Sequence, residues 1–133
     1  MIAMEQFNVR TSSRDQMIDV TDQVTRVVAQ STIEKGVVVV YVPHTTAGIT
    51  INENADPDVI HDLLTQLDNM VPHSQPFYRH VEGNSAAHVK ASMVGASATV
   101  LIEHGRMVLG QWQGLYFCEF DGPRTRRVLV DVR

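Results

Sequence analysis

Apolar and polar positions along this chain switch between a two-residue and a helical spacing. Phe7 to Arg10 alternates and predicts a first strand, and Met17 to Val20 reads as a second strand or as a lead-in to the helix that follows. Thr21 can cap a helix over 22–35, with Val24, Val27, Val28 and Ser31 at helical spacing and Gly36 as its stop. Val37 to Val42 is apolar on both parities, which predicts a strand covered on both faces. His44 falls in the turn that follows, and Gly48 to Glu53 alternates as another strand. Asp56-Pro57 reads as an N-cap with proline at the first helical position. Val59, Ile60, Leu63, Leu64, Leu67, Met70 and Val71 give that helix an apolar stripe, and it ends near Pro72.

Asn84 reads as the cap of a helix from Ser85 to Val94, stopped by Gly95. Asn84, His88 and Ser92 share one face of it, while Val89 and Met93 lie on another. Ala98 to Glu103, Arg106 to Gly110, Leu115 to Phe120 and Arg127 to Val132 read as a closing meander. His104-Gly105 supplies a hairpin turn that needs positive φ. Together these elements predict an α+β fold, an antiparallel sheet with packed helices, in a single domain over 1–133. The strand from Leu115 to Phe120 is again apolar on both parities. So short a chain has few helices to cover a sheet twice, so a homo-oligomer is expected.

Composition narrows the function only a little. With 133 residues there is enough chain for one core. A net charge of −4 gives no case for nucleic acid or an anionic membrane as partner. No apolar run approaches a spanning helix, and Met1 to Glu5 lacks the basic-then-apolar layout of a leader. The single cysteine, Cys118, cannot form an internal disulfide and reads as a buried small hydrophobe. A cytoplasmic protein is the expectation.

Candidate chemistry gathers around the stretch from Tyr78 to Lys90. Of six histidines, His44, His80 and His88 lie in polar, turn-rich settings that can converge. Three imidazoles and a water make an open site for zinc or a related divalent ion such as magnesium. The plainer alternative is three hydrogen-bonding loop histidines. Glu53 shares the inward parity of Ile49 and Ile51, which makes it a ligand, a general base or the cap of the next helix. Ser85 opens a helix whose free N–H groups could take an anion. Lys90, Arg79, Arg124, Arg126 and Arg127 supply cations, and Arg124 to Arg127 with Gly122 could hold a phosphate, although surface solvation is the more frequent explanation for such a run. Trp112, flanked by Gln111 and Gln113, could stack on a flat ring or fill the core.

His44-Thr45-Thr46-Ala47-Gly48, Asn52-Glu53-Asn54, His80 to Lys90, Gly110 to Gly114 and Glu119 to Arg124 recur in an order and spacing that closely resemble the YjbQ-like family. That resemblance implies an α+β pseudo-barrel or sandwich, assembled as a homotrimer, with a pocket around the histidines. It also implies a secondary thiamine-phosphate synthase, which joins a hydroxymethylpyrimidine pyrophosphate to a thiazole phosphate and releases pyrophosphate. On this reading His44, Glu53, His80, His88 and Lys90 do the chemistry. Asn52, Asn84, Ser85, Trp112, Gln113 and Arg124 hold the small phosphorylated ligand, and His44, His80 and His88 hold the divalent metal. Gln111 departs from the family pattern, where threonine is usual. The alternatives are a module that binds a metal or anion without turnover, and a hydrolase of a small phosphorylated compound.

Overall fold

The computed structural model describes residues 4–133. The expectation about Met1 to Glu5 falls partly on residues 1–3, which lie outside the described residues. The elements run β1 (Met4–Arg10), β2 (Gln16–Asp19), α1 (Thr21–Ser31), β3 (Lys35–Tyr41), β4 (Ala47–Glu53), α2 (Pro57–Met70), α3 (Ser85–Val94), β5 (Ser97–Glu103), β6 (Arg106–Met107), β7 (Gln113–Glu119) and β8 (Thr125–Val132). Their strands pair antiparallel in two sheets, one ordered β1-β8-β3-β5-β6 and the other β2-β7-β4. This is the α+β class that the spacing predicts.

The chain's end is not a meander. β5 and β6 do form a hairpin through His104 and Gly105, at φ of 54° and 74°. β7 then leaves for the smaller sheet, and β8 returns to lie between β1 and β3. The strand expected from Arg106 to Gly110 shrinks to two residues, because the Gly110 N–H turns to donate to Gln113 Oε1.

One core joins both sheets. Val38 and Val40 of β3, Val100 and Ile102 of β5 and Val128, Val130 and Val132 of β8 meet Ile49 of β4 and Leu115 and Phe117 of β7 there. Val24 and Val28 of α1 close it from the side. Only one parity of β3 is sealed. Val37 and Val39 stay half-buried and Tyr41 is exposed, beside Leu101 and Leu129 in register. The expected cover on both faces of β3 is therefore not supplied within the chain. β7 differs. Its other parity, Tyr116 and Cys118 with Phe120, lies under Ala87 and Ala91 of α3 and Ile60 and Leu67 of α2. The chain's own helices cover that face, with no second subunit needed. Burial pushes the Cys118 thiol up to about 12, which leaves it inert.

Two helix ends correct the sequence reading. α1 stops at Thr32, in the left-handed region at φ 59°, and not at Gly36. Ser31 Oγ donates to the Val28 carbonyl and accepts from the Ile33 N–H, drawing backbone groups away from the helix. Gly36 lies inside β3, where a Cβ would come within 1.9 Å of the Arg133 carbonyl oxygen. Thr21 is the first helical residue, its hydroxyl accepting from the Leu115 N–H. By contrast Asp56 does cap α2, accepting from the Asp58 N–H at 2.9 Å, with Pro57 next. Gly48 lets β4 press against the end of α3. A Cβ there would lie 2.5 Å from the Gly95 carbonyl oxygen, which accepts from the Ile49 N–H.

Candidate functional site

The turn between β3 and β4, the loop before α3 and the turn into β8 surround a cavity of about 470 Å³. His44 and Thr46 come from the first, His80, Glu82 and Asn84 from the second, and Asp121, Arg124 and Arg126 from the third. His88 enters from the first turn of α3. His80 and His88 stand edge to face with ring centroids 5.5 Å apart.

His44 is tied to β8. Its Nε2 accepts from the Arg127 N–H at 3.0 Å. In the neutral ring the proton then sits on Nδ1, which is left as a donor. Burial first, and then the Arg126 charge, hold its pKa below the usual histidine value. His44 is thus a neutral hydrogen-bond donor at neutral pH, with its free lone pair already engaged.

Under the cavity lies an ion pair. Glu119 is fully buried and accepts from Arg126 Nε at 2.8 Å and again from Arg126 Nη2. It also accepts from the Thr11 hydroxyl at 2.8 Å and the Asp121 N–H at 3.0 Å. Burial alone would raise its pKa; the bonds from Arg126, Asp121 and Thr11 outweigh that and hold it below the usual carboxylate value. Arg126 Nη2 reaches on to Thr46 Oγ1 at 2.8 Å, so the pair links β7 and β8 to the turn carrying His44. Asp121 Oδ2 takes bonds from Asn84 Nδ2 at 2.8 Å and Arg124 Nη2 at 3.1 Å. Asn84 therefore does not cap α3 with its side chain, and its buried Oδ1 finds no partner among the described residues.

The structure brings His44, His80, His88, Asn84 and Arg124 to one cavity. Ser85 follows Asn84 as the first residue of α3. The remaining expected residues lie elsewhere. Glu53 ends β4, whereas His44 precedes its start, and β4 separates them by roughly 20 Å of strand. Asn52 beside it accepts from the Glu53 N–H with its own side chain. Trp112 is exposed at that far end, where its carbonyl accepts from the Asn54 N–H, so it is neither core nor cavity wall; Gln113 pairs with Glu53 there. Lys90 faces away from the cavity and is bound to Asp15 and Asp68. Among the described residues no group of three or more His, Cys, Asp or Glu is set to hold a metal. His80 and His88 approach each other, but His44 has spent its lone pair on Arg127.

Glu119, Asp121 and Thr46 were not among the expected site residues, and Arg126 was expected only as part of the Arg124 to Arg127 run. For Glu119 a signal existed, since it shares the buried parity of Leu115 and Phe117 at the strand's end. Thr11 and Arg126 as its partners come from distant parts of the chain and leave no local mark.

A family described as UPF0047 protein YjbQ-like matches residues 5–133. The chain belongs to the UPF0047 YjbQ-like family. It is 54% identical over 129 residues to the UPF0047 protein YugU of Bacillus subtilis, covering 97% of this chain and 98% of that one. A UPF0047 protein of Methanocaldococcus jannaschii is 47% identical over 95% of this chain and 91% of its own length. Among solved structures, an uncharacterised YjbQ/UPF0047 protein of Clostridium acetobutylicum superimposes with a TM-score of 0.95 at 53% identity, over 97% of this chain and 99% of that one. A protein of unknown function from Sulfolobus solfataricus gives 0.95 at 30%, over 99% and 96%. These UPF0047 relatives are described as uncharacterised or by family alone, and none as a thiamine-phosphate synthase. The thiamine-phosphate synthase expectation is withdrawn accordingly. No helix among the described residues is long and apolar enough to cross a membrane.

Proposed function

We propose that the cavity around His44 binds a small phosphorylated molecule. The observation that carries this is the pair of cations, Arg124 and Arg126, on the wall of a cavity that meets the N-terminal end of α3 at Asn84 and His88. A helix start leaves N–H groups without intrahelical partners, and its dipole favours an anion there. No acidic side chain stands in the first turn of α3, and Asn84 has turned its side chain to Asp121. Arg124 is half exposed at the same cavity, and His44 adds a neutral donor. His80 and His88 add two imidazoles to the same wall.

Arg124→Gln tests it. A hydrogen bond to a charged group contributes about 1.5–3 kcal/mol. Titration calorimetry with inorganic phosphate should give a dissociation constant ~10- to 100-fold weaker for the variant, with unfolding unchanged. Equal affinity for the two proteins, or no binding to either, would overturn the reading.

The same reading takes the protein to be a cytoplasmic homotrimer. What supports the assembly is the outer face of β3, where Val37, Val39, Tyr41, Leu101 and Leu129 leave apolar surface incompletely covered. Light scattering at micromolar concentration should return three times the mass of one chain. A single-chain mass removes the trimer from the proposal.

A further inference from the structure

A second cavity, also about 470 Å³, adjoins the first. His44, Thr45 and His88 line both, so the two imidazoles stand at a junction. The lobes differ in charge. The first is walled by Glu82, Asp121, Arg124 and Arg126. The second has no Asp, Glu, Lys or Arg; beyond the shared residues it is bounded by Ala47, Ala91, Ser92, Gly95 and Ala96. Its one further hydroxyl, Ser92 Oγ, is already donated to the His88 carbonyl at 2.9 Å. The floor is firm, because β4 and the end of α3 touch through Gly48 and the Gly95 carbonyl. A group placed there meets no countercharge, which favours an uncharged body over an ion. A lobe of this volume falls within the range of small-ligand pockets.

We infer that the ligand is bipartite: a phosphate monoester whose phosphate occupies the charged lobe and whose compact, uncharged organic body occupies the second. The ester linkage then lies between His44 and His88, where the neutral His44 can donate to the bridging oxygen. This inference rests on the phosphate reading above and adds to it the class of the remaining half.

The probes are inorganic phosphate and phenyl phosphate, which differ by one uncharged ring, titrated into the full chain. Phenyl phosphate should bind the wild type at least ~10-fold more tightly, in line with burial of an apolar ring. Ser92 and Ala96 stand on the exposed rim of the second lobe. Ser92→Trp, and independently Ala96→Phe, should remove the phenyl phosphate advantage while leaving inorganic phosphate within about twofold, since neither side chain touches the charged lobe. Wild-type binding of inorganic phosphate with no preference for phenyl phosphate overturns the bipartite inference alone. A preference that survives both rim substitutions overturns it too, because the ring then sits elsewhere. No binding of inorganic phosphate at all overturns the phosphate reading itself, and this inference with it.

Discussion

Glu119→Gln is expected to destabilise the protein by about 3–5 kcal/mol, the usual cost of stranding one partner of a buried ion pair. Four donors converge on the carboxylate: Arg126 Nε, Arg126 Nη2, the Thr11 hydroxyl and the Asp121 N–H. A glutamine offers one oxygen and turns an NH₂ group toward the rest, so a donor faces a donor. Arg126, only 4% exposed, keeps its charge and is left without its buried counter-ion. The acid side of the stability curve should change as well. Folding holds the Glu119 pKa below its usual value, so its contribution is complete above that value and is lost as pH falls through the folded one. The variant lacks this loss and should show a flatter acid limb. Urea unfolding at neutral and acid pH reads both effects. The double variant Glu119→Leu with Arg126→Met should recover much of the loss, since apolar replacement of a buried pair is often near neutral. A cost under ~1 kcal/mol for Glu119→Gln would show that the pair is solvated and does not support the His44 turn.

How much of this was legible in the sequence depended on range. α3 was legible to the residue, because Asn84 and Gly95 punctuate it locally. The hairpin at His104-Gly105 and the cap at Asp56 were legible for the same reason. The end of α1 was not. Gly36 looks like a helix stop, yet it is required by the approach of the Arg133 carbonyl from the other end of the chain. The partition into two sheets was equally hidden, since alternation tells which face of a strand is buried and not which sheet it joins. Within the site, His44, His80 and His88 were legible as polar groups in turns. Two misplacements could have been avoided from spacing alone. Lys90 follows His88 by two residues, and that is about 200° around a helix, so the two cannot share a face. Glu53 and His44 bracket the whole length of β4, so inward parity could not bring them together.

Lys90→Met is expected to loosen α2 without touching the cavity. Lys90 is only 2% exposed, and its ammonium lies 2.7 Å from Asp15 Oδ2 and 2.9 Å from Asp68 Oδ1. Asp15 precedes β2 and Asp68 lies in the last turns of α2, so a single charge joins three segments. Arg14 bonds the same two carboxylates at 2.8 Å and 3.3 Å from the rim. α2 has little else to hold it, for none of its side chains is fully buried. Methionine keeps most of the volume but removes the charge, and with it the ammonium over the Phe120 ring, leaving Asp15 and Asp68 to share Arg14. Asp68 is half exposed and water compensates part of the loss, so the expected cost is about 1–3 kcal/mol, the range for hydrogen bonds to charged groups. The Lys90 bond first of all holds the Asp68 pKa below its usual value. That contribution is present above the usual carboxylate value and is lost as pH falls through the folded one, so the wild type should weaken in acid where the variant does not. Hydrogen exchange gives the local readout. Amides of α2 should exchange faster in Lys90→Met while those of β3 and β7 follow the global stability. Phosphate affinity at the His44 cavity should stay unchanged. If α2 exchanges at its wild-type rate and the melting temperature holds, the carboxylates are served by Arg14 and water alone, and the lysine is no latch.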